Sequence, residues 1–174
     1  MSFFKTFLAL FKGQIKAHTG QFGEDVIISP ERYLEAPVRG HHWRAITKGV
    51  ETKGQILLLP GFTEFCEKYA SVADLLVSAG YDVLMLDWPG QGRSGHLGSD
   101  PLIVHSDNFE IHRYAVMRLL QETKMDQAPF HVIGHSMGGY VGLAFAEKYP
   151  NISVLQIDAH SDLRVAYQGN PYSH

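Results

Sequence analysis

The amino-acid sequence predicts an α/β protein of three layers, with helices on both faces of a mostly parallel sheet, and three observations carry that expectation. Gln55-Ile56-Leu57-Leu58-Leu59 and Tyr81-Asp82-Val83-Leu84-Met85-Leu86 are short apolar runs of the kind found in strands covered on both faces. Between them, Glu67 to Ala79 sets Tyr69, Val72, Ala73, Leu76 and Val77 on one helical side and closes on Gly80. Strand, helix, strand in that order makes a right-handed parallel crossover. Further on, the β-branched and aromatic run Phe130 to Ile133 stops at Gly134, and a small-residue helical stretch follows from Tyr140 to Tyr149.

Composition bounds the rest. A chain of 174 residues, 45% hydrophobic and 19% charged, has the material for one domain with a buried core and excludes wholesale disorder. A net charge of -3 argues against a nucleic-acid partner, whose surface calls for a basic excess. Cys66 is the one cysteine, so no internal disulfide forms, and a cytoplasmic setting is expected. No apolar run approaches the ~18 residues needed to span a bilayer.

Taken in order, residues 1–23 read as an amphipathic segment and a linker. On a helix, Phe3, Phe4, Phe7, Leu8 and Phe11 share one face, with Lys5 and Lys12 opposite. Such a face suits peripheral contact with a membrane surface through residues 3–12, and equally suits docking on the chain's own domain. The apolar stretch is too short for a secretory signal and lacks a clear cleavage site. From Val26 to Lys48, short extended segments broken by Pro30, Pro37 and Gly40 predict an antiparallel hairpin leading into the sheet, with Trp43-Arg44-Ala45-Ile46 alternating like a half-buried strand. Ile111 to Glu122 supplies another helix and Ile152 to Ile157 a final strand. Ligands bind at the carboxyl ends of the strands in such a sheet.

Chemistry is expected at that end. Gly134-His135-Ser136-Met137-Gly138 is G-x-S-x-G between a strand and a helix, a setting in which a strained turn lifts the serine hydroxyl above the sheet. The helix start aims backbone N–H groups, that of Met137 first, at any oxyanion forming beside Ser136. The same five residues also fit an ordinary glycine-rich turn; the strand and helix on either side favour the nucleophile. Leu59-Pro60-Gly61-Phe62-Thr63-Glu64 leaves a strand where a second oxyanion donor is wanted, and the Phe62 N–H is the candidate, a plain Pro-Gly turn the alternative. Asp87-Trp88-Pro89-Gly90-Gln91-Gly92-Arg93-Ser94-Gly95 contains G-x-G-x-x-G, but no helix opens on those glycines to receive a pyrophosphate.

With Leu58-Leu59-Pro60-Gly61-Phe62, the Asp87 to Gly95 stretch and Ile133 to Gly139 in this order, the region from about Gly54 to Pro150 resembles the α/β-hydrolase superfamily, in its lysophospholipase and monoacylglycerol-lipase-like branch. The resemblance implies a serine hydrolase of carboxylic esters, of lysophospholipid or acylglycerol type, that needs no cofactor. Ser136 would be the nucleophile, with the Phe62 and Met137 N–H groups holding the oxyanion. That family runs on through strands bringing the triad acid and histidine, so the sheet is expected to be truncated after about the sixth strand and the activity weak or absent. A partial domain of this type is expected over 24–152.

The tail from about 153 to 174 resembles a different family, the agmatinases and arginases, while continuing the sheet. Ile157-Asp158-Ala159-His160-Ser161-Asp162 is similar to their D-A-H-x-D, which implies Mn²⁺ held by Asp158, His160 and Asp162, with His174 near the substrate. His135 lies 23 residues before Asp158, a spacing similar to that family's G-x-H. Two alternatives therefore stand beside the ester hydrolase: a Mn-dependent ureohydrolase fragment, and a non-catalytic truncated or chimeric module joined near Glu147 to Ser153. In some serine hydrolases of this fold the triad acid follows the sixth strand, which makes Asp158 and His160 candidates for acid and base beside Ser136. An uncovered final strand would offer an edge for self-association.

Overall fold

The computed structural model describes residues 23–31, 33–45, 52–100, 103–104, 106, 108–149 and 151–158. Its centre is a pair of parallel strands, β3 (Gly54–Leu59) and β4 (Tyr81–Leu86), whose Ile56 to Leu59 and Val83 to Leu86 side chains are at most 2% exposed. Six strands line up in the order β1-β2-β4-β3-β5-β6, adding β1 (Glu24–Ile28), β2 (Val38–Trp43), β5 (Phe130–His135) and β6 (Ser153–Ile157). The four strands β4, β3, β5 and β6 run parallel, while the β1–β2 hairpin joins antiparallel through β2 on β4.

Alternation along the strands divides the core in two. Ile56, Leu58, Val83 and Met85 face one side, where helix α1 (Ala70–Ser78) lays down Ala73 and Leu76. Leu57, Leu59, Leu84 and Leu86 face the other, under α2 (Glu110–Thr123) with Ala115, Val116 and Leu119, and α3 (Met137–Lys148) with Val141 and Phe145. These are the three expected layers. The crossover out to β4 uses one face and the return to β5 the other, so the strand order reverses between β3 and β5. Ligand crevices in open α/β sheets form at such a reversal.

Three expectations shift. Gly40 does not break the chain but sits inside β2, because a Cβ there would lie closer than 3.0 Å to the Leu119 side chain of α2; only a glycine lets the helix come so near. The strand accordingly runs Val38–Trp43 rather than Trp43 to Ile46; Arg44 and Ala45 lie beyond its end, and Ile46 lies outside the described residues. The helix after β3 opens as a tight 3₁₀ turn, Cys66–Tyr69, whose first N–H goes to Asp87 Oδ1 at 2.7 Å. Helix α3 starts at Met137, three residues earlier than its small-residue stretch suggests. Its glycines lower helical propensity yet are needed: a Cβ on Gly138 would strike the Leu59 carbonyl, and one on Gly142 would sit 2.8 Å from Val132 Cγ1. Residues 1–22, with the amphipathic segment, lie outside the described residues.

Candidate active site at the carboxyl edge of the sheet

Strand register brings three chain segments side by side. Leu59 pairs with Gly134 and His135 with Ile157, so the residues after β3, β5 and β6 emerge together, and Ser136 N–H donates to the Ile157 carbonyl at 3.0 Å. Ser136 stands at φ 51°, ψ -119°, a strained conformation for a residue with a side chain. It is locked by exclusion. A Cβ on Gly134 would lie closer than 3.0 Å to the Gly138 and Gly139 backbone, and one on Gly138 would meet the Leu59 and Pro60 backbone. Serine at a helix start ordinarily caps it, but this hydroxyl makes no capping bond to α3, and the residue as a whole is half-buried. Met137, half-exposed, is the first residue of α3, so its N–H has no carbonyl partner within the helix.

The loop after β3 is held by three polar side chains, those of Glu64, Gln91 and Trp88, and by one backbone bond of its own. Gly61 N–H donates to Glu64 Oε2 at 2.6 Å, Thr63 N–H to Gln91 Oε1 at 2.6 Å, and Glu64 N–H to the Gly61 carbonyl at 3.3 Å. Trp88 Nε1–H donates to the Pro60 carbonyl at 2.9 Å. Pro60 has no N–H, and between Gly61 and Glu64 the Phe62 amide is the one without an acceptor among the described residues. Glu64 also accepts from Lys68 Nζ, Tyr69 O–H and, at 2.8 Å, His135 Nδ1. Burial alone would push the Glu64 carboxyl up, but the bonds from Lys68, Tyr69, His135 and the Gly61 N–H outweigh it and hold it at about 2.

The glycine-rich loop after β4 is a brace, not a phosphate cradle. Asp87, fully buried, accepts from Cys66 N–H, from Arg93 N–H at 2.8 Å and from Arg39 Nη1 at 3.1 Å. Gly92, at φ 56°, passes so close that a Cβ would overlap the Asp87 carboxylate. Arg39, 4% exposed, also pairs with Asp25 and Glu67 at 2.9 Å each; burial disfavours its charge, and these carboxylates more than restore it. Beneath Trp88, the buried His112 ring packs at 5.2 Å, and desolvation drops it to about 4, so it is neutral at pH 7.

Of the residues singled out in the sequence, Ser136, Met137 and Phe62 come to one end of the sheet, and Asp158, half-buried, follows β6 at the same end. His160, Asp162 and His174 lie outside the described residues. Among the described residues no three His, Cys, Asp or Glu side chains cluster as metal ligands. Sequence reasoning missed Glu64, Gln91, Trp88 and Asp87 as site-forming residues; the Asp87 to Gly95 motif was visible, but nothing in it told which loop it would grip.

The family model described as "Serine aminopeptidase, S33" matches residues 50–159, a span that runs past the expected junction at 147–153 and takes in Asp158. Over 100 residues the chain is 33% identical to Lysophospholipase L2 of Escherichia coli (strain K12), covering 56% of this chain and 29% of that protein. Over 113 residues it is 32% identical to 2-hydroxy-6-oxononadienedioate/2-hydroxy-6-oxononatrienedioate hydrolase 1 of Dechloromonas aromatica (strain RCB), covering 63% of this chain and 36% of that one. A solved soluble variant of monoglyceride lipase from Saccharomyces cerevisiae superposes with a TM-score of 0.59 at 25% identity, covering 82% of this chain and 46% of the other. The chain thus spans about a third of the curated relatives it matches and under half of that structure.

Proposed function

The chain belongs to the serine aminopeptidase S33 family of α/β-hydrolases, and from that membership we propose that it hydrolyses carboxylic esters of the lysophospholipid or acylglycerol type through Ser136. The observation that carries this reading is the backbone of Ser136 itself, strained at φ 51°, ψ -119° with a hydroxyl that does not cap its own helix. Strain of that kind persists where the surroundings over-determine it, as the flanking glycines do here. Ser136 Oγ attacks the acyl carbonyl, and the negative oxygen that forms is received by the N–H groups of Met137 and Phe62. The alcohol leaves, and water releases the acyl group from the serine. Asp158 and His160 are the proposed acid and base; Asp158 follows β6 one register step beyond the Ile157–His135 pair. The reaction needs no cofactor.

A lipid ester suits the surroundings. Phe62, Phe109 and Tyr140 are each at least half exposed, and Phe109 meets Tyr140 ring to ring at 5.3 Å, one helical turn after the serine. The two relatives named as acting on such lipids, the lysophospholipase and the monoglyceride lipase, favour the same class. Residues 3–12 are proposed to rest on a membrane surface, and the outer edge of β6 to pair with another strand. Among the described residues no helix is long and apolar enough to cross a membrane.

A fluorophosphonate probe tests the proposal. The intact, folded chain is expected to be labelled at Ser136, located by mass spectrometry, with no label in Ser136→Ala, and to release fatty acid from a lysophospholipid or a monoacylglycerol. Absence of label in folded protein, or label that survives Ser136→Ala, overturns it.

A further inference from the structure

A single carboxylate oxygen joins the two halves of the site. Glu64 Oε2 accepts from the Gly61 N–H at 2.6 Å and from His135 Nδ1 at 2.8 Å. Gly61 immediately precedes Phe62, and His135 immediately precedes Ser136. We propose that Glu64 and His135 are positioning residues that set the separation between the Phe62 N–H and the Ser136 hydroxyl; the inference rests on the acyl-transfer reading above.

Several observations distinguish this pair from an ordinary surface ion pair, which contributes little. The Glu64 side chain is 10% exposed and receives four donors on its two oxygens, so it has no second orientation that satisfies them. Held ionised, it can only accept, and the shared proton therefore sits on His135 Nδ1. There is no slack between the partners: a Cβ on Gly61 would lie 2.7 Å from Glu64 Oε2 and 2.9 Å from His135 Nδ1. The loop backbone is pressed against both side chains, and displacement of either one is transmitted to Phe62. His135 acts through its Nδ1–H on that carboxylate, and His135→Asn, which keeps a donor there but has no Nε2, separates this role from direct action on the substrate.

The test measures phosphonylation of Ser136 in the intact chain, resolving the maximal rate constant from the probe's affinity, alongside thermal melting. Glu64→Gln turns an amide NH₂ toward donors, and the maximal rate is expected to fall about 10- to 100-fold with affinity unchanged, the scale of a misplacement near 1 Å. His135→Leu is expected to lose a similar factor, while His135→Asn, whose Nδ2–H stands where Nδ1–H stood, recovers most of it. The double variant Glu64→Gln/His135→Leu should be no slower than the slower single one, because both remove the same link. Should Glu64→Gln fail to fold, the two His135 variants decide alone. An unlabelled wild type overturns the acyl-transfer reading and this inference with it. A labelled wild type with His135→Leu equally fast, or with Asn and Leu equally slow, or with melting lowered and the maximal rate untouched, overturns the positioning role only.

Discussion

The two segments that meet at the carboxyl edge are held by opposite means. The turn at Ser136 is fixed by shape: remove the space left by Gly134 and Gly138 and the backbone cannot pass. The loop Pro60 to Glu64 is fixed by charge and hydrogen bonds from Glu64, Gln91 and Trp88, with a half-exposed Phe62 at its tip. Steric exclusion acts here both within the turn, Gly134 against Gly138 and Gly139, and across the fold, Gly138 against Leu59 and Pro60, and it is indifferent to pH. Polar bracing is supplied from along the chain, 28 residues from Gln91 back to Thr63 and 71 from His135 back to Glu64, and where Glu64 is the acceptor it depends on ionisation. A turn that must stay strained is best held by walls, while a loop whose partners lie far along the chain is held by the hydrogen bonds they bring.

The contrast breaks most sharply at the glycines. Gly138→Ala forces a methyl against the Leu59 carbonyl, where no flexible side chain can yield, and Gly134→Ala forces one against the helix backbone. Each is expected to cost ~3 kcal/mol or more, at the upper end of overpacking, read as a lowered midpoint in chemical denaturation with an unchanged slope. The second effect belongs to the loop alone. Glu64 is held at about 2 against an ordinary 4.5, so the unfolded chain binds its proton first; the stability it contributes is complete above pH 4.5 and lost as pH falls toward 2. His112, dropped to about 4 from 6.5 by burial, adds loss of the same sign between pH 6.5 and 4. Denaturation midpoints measured from pH 7 down to 2 should fall in two stages, Glu64→Gln flattening the lower and His112→Leu the upper. A wild-type profile flat to pH 3 refutes the assignment.

The same division explains what the sequence disclosed. G-x-S-x-G is readable because the exclusion of a Cβ at Gly134 by Gly138 falls within five residues, although that at Gly138 waits for Leu59, and the buried strands β3, β4 and β5 are readable because apolar runs bounded by Gly and Pro have few other uses. Gly40 misled because a strand glycine that admits a helix and a glycine that breaks a chain look alike until Leu119 is placed. Glu64 was equally silent: a glutamate two residues after a Pro-Gly-Phe turn reads as a solvated loop residue, and only the return of the chain to β5 delivers the His135 partner. The Asp87 to Gly95 motif advertised its glycines but not its purpose, since Gly92 serves a carboxylate five residues earlier and Gln91 an amide in another loop.

Smaller effects sharpen the comparison. Gln91 is 3% exposed and its Oε1 is the acceptor for the Thr63 N–H, in a residue already at φ 62°. Gln91→Ala leaves that donor without a partner, and a cost of about 1–2 kcal/mol is expected. Because Gln91 braces the loop and not the Ser136 turn, phosphonate labelling should slow through the loop while Ser136 remains the labelled residue. Gln91→Met keeps the length of the side chain without the acceptor and should lose about as much as Gln91→Ala, whereas a Gln91→Met variant as stable as the parent chain would mean that packing, not the hydrogen bond, holds Thr63. Gly98→Ala provides the lower bound. No atom lies within 4 Å of its would-be Cβ, so a methyl there should change stability by no more than about 0.5 kcal/mol. If Gly98→Ala and Gly138→Ala prove equally costly, the glycines act through chain entropy and not through the walls they leave open, and the contrast between a turn held by shape and a loop held by charge no longer stands.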